Sequence, residues 1–180
     1  NPDQGHKTHR TPIPYLGGVA IILGVLAVTS FSLIGYSMSQ ANTLLALSLL
    51  LPAIALGLIG LVDDIRNLSP WPRFVAQSVV GLLTAILLIS TDTVGSPTGS
   101  VLVDALITII WIVGITNSIN FFDNLDGGAS GTVALTSIAL LFLALQGEQY
   151  LIAAMAAVLA GATLGFLVWN KPPARIYMGD

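Results

Sequence analysis

Six apolar runs, separated by short polar stretches, account for most of the chain: residues 16–35, 44–62, 74–90, 101–116, 132–146 and 150–169. About 20 apolar residues are needed for a helix to cross a bilayer, and most of these runs approach that length. The run 132–146 is short for a span. Pro52 lies inside the second run, where a membrane helix tolerates it as a kink. The pattern therefore predicts an all-α, polytopic bundle of about six transmembrane helices.

The polar stretches decide how the spans are oriented. Residues 1–15 are polar and Pro-rich and cluster His6, Lys7, His9 and Arg10. Residues 36–42 form a short uncharged loop, and 91–100 a loop rich in Gly, Ser, Pro and Thr. If the spans alternate, Lys7, Arg10, Arg66, Arg73, Lys171 and Arg175, all six basic residues, share one side. Asp92, Asp104 and Glu148 fall on the other. Basic residues in short loops mark the cytoplasmic face, so both ends of the chain are expected there. Arg10 and Arg73 are read as anchors at lipid headgroups, Trp71, Trp111 and Trp169 as interface or packing residues, and Asp104 as a solvated helix start.

Composition supports the membrane reading: 54% of the residues are hydrophobic and 8% charged, against about 25% charged in a soluble domain. A net charge of -3 gives no reason to expect a nucleic-acid partner. With no cysteine, disulfide and thiolate chemistry are excluded for these residues. The chain opens at Asn1 without a signal-peptide pattern and reads as a piece of a longer membrane protein.

The candidate chemistry lies on the basic side. Residues 117–131, NSINFFDNLDGGASG, follow the fourth run. Asn117, Asn120 and Asp123 recur every third residue, so on a helix they form one polar stripe. Gly127 and Gly128 are expected to break the helix beyond Asp126. Asp63 and Asp64 end the second run on the same side. Polar groups at a membrane boundary are costly unless they serve a site. Carboxylates Asp63, Asp64 and Asp123 suit an oxygen-ligated Mg2+ or Mn2+, with Lys7, His9 and Arg66 placed for phosphate oxygens. A coupled transporter would instead carry carboxylates in mid-span.

Four segments together resemble one family, the polyprenyl-phosphate N-acetylhexosamine-1-phosphate transferases. They are HKTHRTPIPYLGG (6–18), GLVDDIRNLSP (60–70), WIVGITNSINFFDNLDGG (111–128) and NKPPARIYMGD (170–180). Their order and separation are similar to the family's, with departures at His6, Asn124 and Gly128. The Pro-Ile-Pro…Gly-Gly form looks like the bacterial undecaprenyl-phosphate GlcNAc-1-phosphate branch. The related phospho-MurNAc-pentapeptide transferase branch of peptidoglycan synthesis is the alternative within the family.

The resemblance implies a single membrane-embedded transferase domain over residues 1–180, partial because the family has a further span before it and others after it. It implies transfer of GlcNAc-1-phosphate from a UDP-sugar to polyprenyl phosphate at the cytoplasmic face of the bacterial inner membrane, with release of UMP. Asp63, Asp64 and Asp123 would be catalytic, with Mg2+ (or Mn2+) on Asp123 and Asp64. Lys7, His9, Asn117, Asn120 and Asp126 would bind substrate. The implied partners are a UDP-sugar, the lipid acceptor, the membrane and a second copy in a homodimer, with no nucleic acid. A membrane transporter and an inactive scaffold remain the readings from other classes.

Overall fold

The computed structural model describes residues 14–35, 38–90 and 97–180. These residues form six helices and no strand: α1 (Gly17–Gly35), α2 (Gln40–Arg66), α3 (Pro70–Ser90), α4 (Val101–Phe122), α5 (Gly128–Gln146) and α6 (Tyr150–Asn170). Helices α2 to α6 are each long and apolar enough to cross a membrane. The described apolar part of α1 is Gly17–Phe31.

The helices outrun the apolar runs because polar residues cap and extend them. Ser39 Oγ accepts the Asn42 N–H at 3.2 Å and starts α2 four residues before the expected run. Its other end closes on Asn67, at φ 48°, whose N–H donates to the Asp63 carbonyl at 2.7 Å. Helix α4 continues to Phe122 with Asn117 and Asn120 in its last turns, and Asp123 caps it. Helix α5 starts at Gly128, so the run that looked short becomes a 19-residue helix. At Gly128 an added Cβ would lie 2.5 Å from the Phe122 carbonyl oxygen, which accounts for a glycine at this crossing from α4 to α5.

Each helix packs on its neighbours in sequence, and α6 closes on α1, giving a ring of six. The α5–α6 contact is the most extensive, and α1–α2 and α4–α5 are thin seams. Small side chains explain the first: Ala129, Ser130, Ala134 and Ser137 of α5 and Ala153, Ala156, Ala160 and Thr163 of α6 are buried. In a bilayer, where apolar surface gains little by leaving lipid, such residues let helix backbones approach closely. Large apolar residues such as Leu23, Phe31, Ile110, Leu135 and Phe142 point outward, as lipid-facing positions do.

Helix direction alternates around the ring. The starts of α1, α3 and α5 and the ends of α2, α4 and α6 therefore meet at one end, where residues 171–180 return across them. Arg66, Arg73, Lys171 and Arg175 belong to that end, and Asp104 and Glu148 to the opposite one.

Candidate functional site

The site is organised by the returning segment 171–180, which lacks secondary structure and is held by side chains from four helices. Asn170 anchors its base. It is fully buried, accepts from Ser130 Oγ at 2.6 Å through Oδ1 and donates to the Ile176 carbonyl at 2.9 Å. The Pro172–Pro173 peptide is cis. Asp126 then clasps the segment, accepting the Ala174 N–H at 2.9 Å and the Tyr177 hydroxyl at 2.6 Å. The start of α1 meets the segment from another side. Gly17 N–H and Gly18 N–H donate to the carbonyls of Tyr177 at 3.0 Å and Met178 at 2.8 Å. An added Cβ on Gly17 would strike the Phe166 ring. Leu16, just before, sits at φ 87°, a strained conformation of the kind that clusters at functional sites.

Met178, Gly179 and Asp180 are thereby delivered between the carboxylates of α2 and the end of α4. Asp123 accepts the N–H groups of Met178 at 3.3 Å and Gly179 at 3.0 Å. Both oxygens of Asp64 accept the Asp180 N–H, at 3.1 and 3.2 Å. Gly179 has φ 86°, and any Cβ there would run into the Asp64 carboxylate, so this position requires glycine. The Asp180 side chain accepts from Asn120 Nδ2 and from Arg73 Nη1, the latter at 3.2 Å. Arg73 Nη1 also pairs with Asp63 at 2.6 Å, and Asp63 takes the Leu68 N–H at 2.8 Å. Asp63, Asp64, Arg73, Asp180 and Tyr15 line a cavity of about 310 Å3.

Electrostatics mark the same corner. Burial, with the charges of Asp180 and Asp64 added, pushes the Asp123 carboxyl up to about 6 against the pull of the Gly179 and Met178 N–H groups. Burial and the neighbouring Asp63 also raise Asp180, opposed by Asn120 and Arg73. Burial and the Asp126 carboxylate push Tyr177 up to about 12, so it is a hydroxyl donor at any working pH.

Of the residues singled out from the sequence, Asp64, Asn120 and Asp123 converge on Met178–Asp180, and Asp63 adjoins them through Arg73. Asn117 points away from this cluster. Its Nδ2 donates to Gln77 Oε1 on α3 at 2.7 Å and to the Val113 carbonyl at 2.8 Å. Asp126 holds the segment from its far side. Lys7 and His9 lie outside the described residues. Sequence reasoning passed over Asp180, Tyr177 and Gln77, and read Arg73 as a headgroup anchor where it bridges two acids. The resemblance over 170–180 was the one signal for Asp180.

The donors are carboxylate and amide oxygens, the chemistry that Mg2+ and Mn2+ take. Among the described residues no three acidic or imidazole groups already ring a common point. The excess of acid around Asp123 nevertheless fits a cation, since a divalent charge would relieve the penalty on that half-buried carboxylate. Asp123 and Asp64 are the residues that could hold it.

Fold and site together define a multi-pass membrane protein with an acid-rich, oxygen-donor site where its helix ends meet. A family model described as "Glycosyl transferase family 4" matches residues 46–180, and the chain belongs to that family. It is 34% identical to the probable undecaprenyl-phosphate N-acetylglucosaminyl 1-phosphate transferase of Bacillus subtilis, over 97% of this chain and 48% of the relative. It is 33% identical to the phospho-N-acetylmuramoyl-pentapeptide-transferase of Bacillus licheniformis, over 99% of this chain and 60% of that protein. The corresponding enzyme of Limosilactobacillus fermentum is 35% identical, over 93% and 54%. The chain spans about half the length of the curated relatives it matches.

Proposed function

We propose that the protein containing this chain transfers N-acetylhexosamine-1-phosphate, preferentially GlcNAc-1-phosphate, from its UDP-sugar to polyprenyl phosphate. The observation that carries this reading is the meeting of Asp64, Asp123, Asp180, Asn120 and Arg73 at one mouth of a membrane bundle. Diphosphate, divalent cation and an acceptor that cannot leave the lipid all suit such a mouth. The names of the similar proteins and the motifs at 60–70, 111–128 and 170–180 support the same reaction. The gathering of the described basic residues at this end supports a cytoplasmic site in a bacterial inner membrane, with both chain ends on that side. We treat residues 1–180 as one partial transferase domain.

In the reaction, an oxygen of the lipid phosphate attacks the phosphorus that carries the sugar. The bond from that phosphorus to the UMP oxygen breaks, and UMP leaves with the electron pair. With a second pKa near 6, a phosphate monoester is mostly dianionic at neutral pH and needs little help from a base. Direct attack is therefore favoured over an aspartyl intermediate. Asp123 and Asp64 would hold Mg2+ or Mn2+, which when bound neutralises charge on the diphosphate and on departing UMP. Asp63, engaged by Arg73 and Leu68, steers the Arg73 guanidinium toward the lipid phosphate. Asn120 fixes Asp180. Lys7 and His9 contact substrate phosphate in this reading, while Asn117, tied to Gln77 of α3, and Asp126, which clasps the returning segment, act as positioning residues.

Incubating the full protein with undecaprenyl phosphate, Mg2+ and either UDP-GlcNAc or UDP-MurNAc-pentapeptide tests the donor. UMP from UDP-GlcNAc is expected. UMP from the pentapeptide donor alone would move the protein to the peptidoglycan branch, and UMP from neither would return it to the transporter or scaffold readings.

A further inference from the structure

Gln77 lies one turn beyond Arg73 on the same face of α3 and is buried, 5% exposed. A carboxamide inside a membrane-spanning helix is costly unless its polar atoms are matched. Here the match crosses to the next helix. Gln77 Oε1 accepts Asn117 Nδ2 of α4 at 2.7 Å, and the same Nδ2 donates to the Val113 carbonyl at 2.8 Å. The two hydrogens of the Asn117 amide are thus used, one on its own helix and one on α3. Gly81 lets the helices stay close beyond this pair, since an added Cβ would lie 3.4 Å from Ile109 Cα. One turn nearer the mouth, the same two helices carry Arg73 and Asn120. Both grip Asp180, Arg73 on Oδ2 at 3.2 Å and Asn120 on Oδ1. Because α3 and α4 run antiparallel, Gln77 and Asn117 form a lower rung, and Arg73 and Asn120 an upper rung closed by Asp180.

We propose that Gln77 is a positioning residue for the transfer: it fixes the height of α4 against α3, so that Arg73 and Asn120 reach the two oxygens of one carboxylate. The assignment rests on the proposed transferase reading and adds a residue that touches neither substrate. Side-chain interlocking holds α4 weakly, since Val113 is its one fully buried residue. A directional bond between helices therefore decides its height, as polar pairs do where lipid removes the hydrophobic driving force. A slip of α4 by one residue moves its end by about 1.5 Å. That is enough to take the 3.0 Å bond from Gly179 N–H to Asp123, and the bond from Asn120 to Asp180, out of range. A misplacement of about 1 Å at reacting groups costs on the order of a hundredfold in rate.

Two measurements on the full protein test this. Gln77→Met keeps the shape and removes the acceptor, and Gln77→Asn is too short to span the gap. In both, amide exchange read by mass spectrometry over 178–180 should quicken at least tenfold. Segment 171–176, held through Asn170 and Asp126, should keep its rates. The kcat for UMP release, per folded protein, should fall at least tenfold in both variants. Combining Gln77→Asn with Asn117→Gln restores the summed length of the bridge and should bring both readings to within threefold of the parent. Thr84→Val, which removes a buried α3 hydroxyl bonded to the Val80 carbonyl of its own helix, should leave both unchanged. Parent-like exchange or kcat in both single variants, a swapped pair that restores neither reading, or equal effects in Thr84→Val overturns the proposal. If the parent releases no UMP while exchange responds as stated, the transfer reading fails and the register role of Gln77 stands.

Discussion

Removing the Tyr177 hydroxyl should loosen the segment that builds the site. In Tyr177→Phe the 2.6 Å bond to Asp126 is lost, and a hydrogen bond to a charged acceptor contributes about 1.5–3 kcal/mol. The segment keeps its Ala174, Ile176 and Gly179 bonds, so a central figure of about 2 kcal/mol applies. At 1.4 kcal/mol per tenfold, the balance between docked and released segment shifts by about thirtyfold. Amide exchange read by mass spectrometry on the full protein reports this shift directly. Exchange at Tyr177 and Gly179 should quicken by about that factor, while amides within α5 and α6 keep their protection. Because Tyr177 is pushed up to about 12, the effect should hold from about pH 6 to 9. Unchanged exchange over 174–180 would mean that Asp126 does not hold the segment, and its assignment as a positioning residue would fall.

Asp123 gives a pH-dependent expectation. Its folded carboxyl is raised from 3.8 to about 6, so its contribution to stability is present below the lower value and lost as pH rises through the upper one. Without divalent cations, Asp123→Asn should therefore melt above the parent near pH 8, with the gap closing toward pH 5; parallel melting curves would contradict this. Arg73→Met leaves Asp63, only 3% exposed, without its 2.6 Å partner. About 2 kcal/mol should be lost in thermal unfolding, and a cycle with Asp63→Asn should be clearly non-additive. In Gly179→Ala the φ of 86° and the Asp64 carboxylate both oppose the new methyl group. UMP release should drop at least tenfold with helical circular dichroism unchanged, and parent-like activity would mean that segment 178–180 does not shape the site.

The helices were legible because a membrane span is a local property: about 20 apolar residues announce one wherever they pack. The stripe Asn117, Asn120, Asp123 was legible for the same reason, since residues three apart share a helix face. What those side chains touch was not. Asn117 is diverted to Gln77, 40 residues earlier, and Asp64 meets the N–H of Asp180, 116 residues later. No periodicity carries such pairings; they depend on how six helices close into a ring. Arg73 looked like a headgroup anchor because its sequence context is a helix start beside prolines, and its two acids come from other elements. Asp126 sits three residues beyond Asp123, at the spacing of the stripe. The turn between α4 and α5 carries it instead to the far face of the returning segment, where Tyr177 and Ala174 wait.

UMP release by the full protein, followed as Mg2+ is titrated against EDTA with undecaprenyl phosphate present or omitted, bears most directly on the proposed transfer. The expected result is UMP only when both metal and lipid are supplied, and none from a folded Asp123→Asn protein. UMP formation that survives EDTA, needs no lipid, or persists in Asp123→Asn would place the chemistry somewhere other than this cluster of carboxylates.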